Sequence, residues 1–257
     1  MIGRQFIVLP ILALAAMLTV ATAFPRAAAA QEKVDLELVI AADGSGSIDD
    51  EELALQRRGY ANAVTDPTLL SLMTGGLYGK TAILYVEWGA ADSVHTIVDW
   101  TIIAGKEDAE GFAQRLQTAP RKAYGYNAIS AAIDYAVIQF DVNGIEGLRR
   151  IIDVSGDGPN INARPVTMAR DDAVAKGITI NALVVKTRGG GFRGPGGMPL
   201  DEHYRQHVIG GVGAFVRIAD KDTSFAEAVR NKMLLEVAQG IPQTAAGPMD
   251  ENRTIID

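Results

Sequence analysis

The chain has 257 residues, 48% of them hydrophobic, which is enough for one sizeable core and a single domain by default. Its formal net charge of -7 leaves no basic excess of the kind that phosphate backbones require, which argues against nucleic acid as a partner. No cysteine occurs, so disulfides, thiolate metal sites and lipid attachment to cysteine are excluded.

The first element is a leader. Residues 1–30 carry Arg4, an apolar stretch from Phe6 to Phe24 interrupted by Pro10, and the small-residue series Ala28-Ala29-Ala30. This is the pattern of a secretory signal cleaved after Ala30, which would place the mature chain in the periplasm or outside the cell. Left uncleaved, the same run approaches the roughly 20 apolar residues of a membrane span and would act as an anchor.

Val34 to Ala42, VDLELVIAA, becomes continuously apolar, as a strand buried on both faces of a parallel sheet does. A loop, DGSGS at 43–47, follows it, and DDEELALQRRGYANA at 49–63 has acids in its first turn and apolar residues at helical spacing. Thr81 to Gly89 reads as a second strand and Ser93 to Ile103 as an antiparallel neighbour across a tight turn. Helices are expected over 107–117 and 127–140, a strand over 149–155 ending near Asp157, a helix over 165–176 capped by Gly177, and a strand from Ile178. A short strand at 214–218 precedes a last helix, opened by the Ser224 and Glu227 capping box and reaching about Gln239.

Alternating strands and helices imply an α/β fold: a doubly wound, mostly parallel sheet with one antiparallel edge strand and helices on both faces. The mature domain spans 31–239. Arg188 to Met198, RGGGFRGPGGM, is too rich in glycine for regular structure and reads as a mobile surface loop, and 240–257 is a polar tail without periodicity.

The DGSGS loop admits four readings. A hydrolase elbow needs G-x-S-x-G, but Ser45 has Asp43 and Ser47 at the glycine positions, and none of His95, His203 and His207 is expected near it. A phosphate loop is suggested by TGGLYGKT at 74–81, but Thr74 replaces the first glycine and the segment leads into a strand rather than a helix. A plain helix-capping turn explains one Asp or Ser and leaves the second serine and Asp157 unused. A metal site uses them all: the two-residue spacing lets Asp43, Ser45 and Ser47 aim oxygens at one point, with Asp157 adding a carboxylate from another strand end. His203 and His207 lack a third ligand for zinc and read as surface histidines, while Trp88 and Trp100 read as core or sheet-edge aromatics.

The D-x-S-x-S of Asp43, Ser45 and Ser47, with Asp157 in a Ser-Gly-Asp-Gly loop, resembles the metal-ion-dependent adhesion site of von Willebrand factor A domains. The segments VEW, DVSGDG and VIGGVGAFV are further similar to an uncharacterised exported bacterial family within that superfamily. The resemblance implies that Ser45 and Ser47 bind a cation directly and that Asp43 and Asp157 bind it directly or through water. The ion would be Mg²⁺, with Mn²⁺ or Ca²⁺ as alternatives. It also implies a loop threonine ligand, and alignment of GYNAISAAIDYA puts Asn127 at that place, a longer side chain with a neutral amide oxygen. The implied function is recognition without catalysis, in which a partner protein's Asp or Glu completes the ion. The alternative is a metal-free scaffold subunit of an envelope assembly.

Overall fold

The computed structural model describes residues 31–186, 193–220 and 224–239. The expected leader (1–30), the expected tail (240–257) and positions 188–192 of the glycine-rich stretch lie outside the described residues. The rest of that stretch carries one 3₁₀ turn, Pro195–Gly197.

In chain order the elements are β1 (Glu32–Val34), β2 (Leu36–Asp43), α1 (Asp50–Val64), α2 (Pro67–Met73), β3 (Thr81–Trp88), β4 (Val94–Ile103), α3 (Lys106–Thr118), α4 (Ile129–Val142), β5 (Ile145–Gly147), β6 (Arg150–Gly156), α5 (Val166–Ala175), β7 (Ile178–Val185), α6 (Leu200–His203), β8 (Val216–Ala219) and α7 (Phe225–Ala238). A π turn, Tyr204–Val208, continues α6. Six strands form one sheet in the order β4-β3-β2-β6-β7-β8, with β4 alone antiparallel. The short β1 and β5 pair in parallel beside it.

Every residue of β2 is buried, because side-chain alternation feeds both layers. Leu36, Leu38, Ile40 and Ala42 pack with residues of α1, α2, α3 and α7. Val39 and Ala41 pack with residues of α4, α5 and the π turn. From β2 the chain steps to β3 on one side and later lays β6 on the other. The switch point, where such sheets bind ligands, therefore falls at the carboxyl ends of β2 and β6.

Some expectations shift. The helix α2 was not anticipated from the sequence; Asp66 caps it by accepting from the Thr68 and Leu69 amides, with Pro67 in the first turn. His203 is buried rather than at the surface, and its ring stacks on that of His207 with centroids 5.1 Å apart. Burial, then the neighbouring His207, holds its pKa below the usual histidine value. Trp88 lies in the core, and Trp100 packs against Phe140. The TGGLYGKT segment is a turn before β3: Asp35 accepts from the amides of Tyr78 and Lys80, and the Lys80 ammonium lies 2.6 Å from Glu32.

Candidate metal centre

The five residues singled out from the sequence gather at the switch point. Asp43 is the last residue of β2 and pairs in register with Trp88 of β3, while Ala42 pairs with Ser155 of β6, just before Asp157. The loop between Asp43 and α1 turns on its own side chains. Asp43 Oδ1 accepts from the Ser45 amide at 2.8 Å, and the Ile48 amide bonds to the Ser45 carbonyl at 3.1 Å. The turn ends in a capping box between Asp49 and Glu52 that starts α1.

Within this frame the Ser45 and Ser47 hydroxyls are 3.1 Å apart, and Ser47 donates to Asp157 Oδ1 at 3.0 Å. Asn127 donates its amide N–H to the same Oδ1 at 3.2 Å, and the Asp157 amide reaches Asp43 Oδ2 at 3.4 Å. One connected cluster thus joins three loops that lie up to 114 residues apart in sequence.

The surrounding structure fixes this cluster. Gly44 has no room for a side chain, since a Cβ there would come within 2.8 Å of Ala123 Cβ. At Gly158 a Cβ would meet the Asn127 amide nitrogen at 2.2 Å, so a side chain there would displace the Asn127 amide from its present position. Arg121 was not singled out from the sequence, yet its guanidinium donates to the carbonyls of Gly44, Ser45 and Ile48 at 2.8–3.0 Å and to Asp50 at 2.9 Å. The Gln56 side chain donates to the Asp43 carbonyl, and the Tyr204 hydroxyl donates to the Gly158 carbonyl. A basic residue in a loop gives no periodic or motif signal, so only the fold discloses Arg121.

Electrostatically, the nearby Arg121 cation is engaged by loop carbonyls and Asp50, not by the two site carboxylates. Asp43 is 1% exposed, and among the described residues no ion pair reaches Asp43 or Asp157. Burial, reinforced by the Asp157 charge and opposed by hydrogen bonds from Ser45, pushes the Asp43 carboxyl up to about 7. Two carboxylates, two hydroxyls and an amide suit a hard divalent cation in donor type. Asn127 presents N–H to Asp157, and rotating its amide would present the oxygen instead. No group of three His, Cys, Asp or Glu side chains able to hold a metal occurs among the described residues, so a cation here would rely on neutral oxygens.

Comparisons with known proteins agree with this architecture. A von Willebrand factor type A protein from Catenulispora acidiphila superposes with a TM-score of 0.57 at 14% identity, covering 81% of this chain and 43% of that one. Proximal thread matrix protein 1 of the mussel byssus, solved with a zinc-occupied MIDAS motif, gives 0.54 at 16% identity, covering 79% and 46%. The von Willebrand domain of the type V pili tip protein Mfa5 from Porphyromonas gingivalis gives 0.56 at 9% identity, covering 83% and 98%. The chain spans less than half the length of the first two. At these identities the likeness shows a von Willebrand factor A fold. No curated protein matches the sequence significantly. Residues 33–241 match the family described as protein of unknown function (DUF1194), and the chain belongs to that family.

Proposed function

We propose that the chain is an exported recognition module that binds a partner protein through a divalent cation held by Asp43, Ser45, Ser47, Asn127 and Asp157. The observation that carries this reading is the convergence of two uncompensated carboxylates and two serine hydroxyls at the sheet's switch point. A bound Mg²⁺, or Mn²⁺ or Ca²⁺, would supply Lewis acidity toward an acidic side chain of the partner. This chain's residues do the remaining work. The serines offer neutral oxygens, so protein charge does not satisfy the ion fully, and Arg121 clamps the loop that carries them. Tyr124 and Tyr126 flank the site and are 56% and 70% exposed, the residue type enriched where proteins bind one another. A structural neighbour that is the von Willebrand domain of a pili tip protein supports recognition over catalysis. The leader pattern in residues 1–30 supports export to the periplasm or beyond.

One observation favours a second reading, a metal-free scaffold: Ser47 and Asn127 already satisfy Asp157 Oδ1 through internal hydrogen bonds. Calorimetric titration of Mn²⁺ and Mg²⁺ to millimolar concentration, beside Asp43→Ala and Asp157→Ala, separates the two. One-to-one binding lost in both variants supports the cation-dependent module. Absence of heat and of any stabilisation supports the scaffold.

A further inference from the structure

A second cluster of ionisable groups lies inside the core, distinct in its residues from the loop site. Asp153 in the middle of β6, and Lys232 and Glu236 one turn apart on α7, are each 0% exposed. Lys232 Nζ stands 2.5 Å from Asp153 Oδ1 and in contact with Glu236 Oε1. The Lys232–Asp153 contact is not directed as a hydrogen bond: neither Asp153 oxygen has a hydrogen-bond partner among the described residues. Asn181 of β7 donates to Glu236 Oε1 at 3.0 Å, and the Lys232 ammonium lies 5.8 Å from the centroid of the Phe215 ring. An amine, a carboxyl group and a second carboxyl able to move protons are thus packed together out of contact with bulk solvent.

We propose that Lys232 and Asp153 condense into an intramolecular isopeptide bond that ties α7 covalently to the centre of the sheet, with Glu236 as the proton-transfer residue. Lys232 Nζ first passes a proton to the Asp153 carboxylate, leaving a neutral amine and a neutral acid. The nitrogen lone pair then attacks Asp153 Cγ, the C–N bond forms, and the carbonyl π pair moves to oxygen. Glu236 takes a proton from the nitrogen and returns one to the departing hydroxyl. The carbonyl re-forms, the C–OH bond breaks and one water leaves. Atoms and charge balance, and no oxidant or co-reactant enters.

The environment favours this direction. Three ionisable groups without solvent are costly when charged, and condensation replaces an ammonium and a carboxylate with a neutral amide. Burial, together with the Asp153 charge, pushes Glu236 up to about 7, so it can hold the proton that the relay needs. Burial also raises Asp153, with the Lys232 charge opposing. Helix α7 is the last helix described and packs on α1 and α2 as well as on the sheet. A bond at Lys232 would fix its position along its own axis.

Mass spectrometry of the denatured, trypsin-digested full chain tests the proposal. The expected product is a branched species joining Ile151–Arg170, which contains Asp153, to Asn231–Arg253, in which cleavage after Lys232 is blocked. Its mass should be one water below the sum of the two peptides. Glu236→Gln, nearly isosteric, should fold with wild-type circular dichroism and yield the two regions unlinked, and Lys232→Met should do the same. Unlinked peptides from folded wild-type protein would overturn the bond. A branched species persisting undiminished in Glu236→Gln would overturn the role given to Glu236.

Discussion

Arg121 illustrates how a site can depend on a residue that touches only its backbone. Its guanidinium holds the Gly44, Ser45 and Ile48 carbonyls of the loop that carries Ser45 and Ser47. Outer partners of metal ligands commonly contribute 10- to 100-fold in affinity, so Arg121→Ala should weaken Mn²⁺ binding by about tenfold or more while leaving the circular dichroism unchanged. Unaltered affinity in that variant would mean that the Asp43 turn and the α1 capping box hold the loop by themselves. Asn127 gives the complementary case. Asn127→Thr shortens the side chain, removes the N–H donated to Asp157 and offers a hydroxyl in its place, so calorimetry should record tighter Mn²⁺ binding than in the wild type. Asp43, Ser45, Ser47 and Asp157 were legible because their spacing and strand-end positions carry chemistry. Asn127 was reached only through the family resemblance, and Arg121 not at all.

Between elements, the attachment of α7 to α2 provides a pH-dependent test. Asp66 caps α2 and also takes an ion pair from Arg230 of α7 at 2.9 Å. The Arg230 hydrogen bond, helped by the Leu69 amide, holds the Asp66 carboxyl below the usual aspartate value. A group depressed in the folded state stabilises above its unfolded pKa and loses that contribution as pH falls through the folded one. Asp66→Ala should therefore lower stability by about 0.5–2 kcal/mol at neutral pH, as a lost cap does. The difference between variant and wild type should shrink as pH drops below the ordinary aspartate range, as followed by urea unfolding at stepped pH. A gap that stayed constant into acid would assign the loss to packing instead. The same elements show what sequence periodicity can carry. The strand β2 declared itself through its unbroken apolar run, and α1 through its acidic first turn. Seven residues of α2 hold too few periods to register, although Asp66-Pro67 was a usable start signal. The three-residue β1 and β5 are shorter still, and the burial of His203 depends on packing that no local pattern encodes.

For the whole molecule, the alternating order of strands and helices was enough to indicate the doubly wound sheet, because connection length and handedness leave few topologies. What the order of elements cannot carry is the coupling between the switch-point loops and global stability. The candidate ligands come from the ends of β2 and β6 and from the loop before α4, segments brought together only in the folded chain. A cation held by all three binds the native state and has no comparable site on the unfolded one. At about 100 times its dissociation constant it should then add about 2.7 kcal/mol to the unfolding free energy. For a domain of this size that corresponds to a rise of roughly 5–10 °C in Tm. Scanning calorimetry in Mn²⁺ against chelator measures the shift directly. Asp157→Ala should abolish it, since the variant removes the carboxylate on which Ser47 and Asn127 converge. A shift surviving in Asp157→Ala would place the stabilising ion elsewhere on the chain, and the recognition surface would have to be sought there.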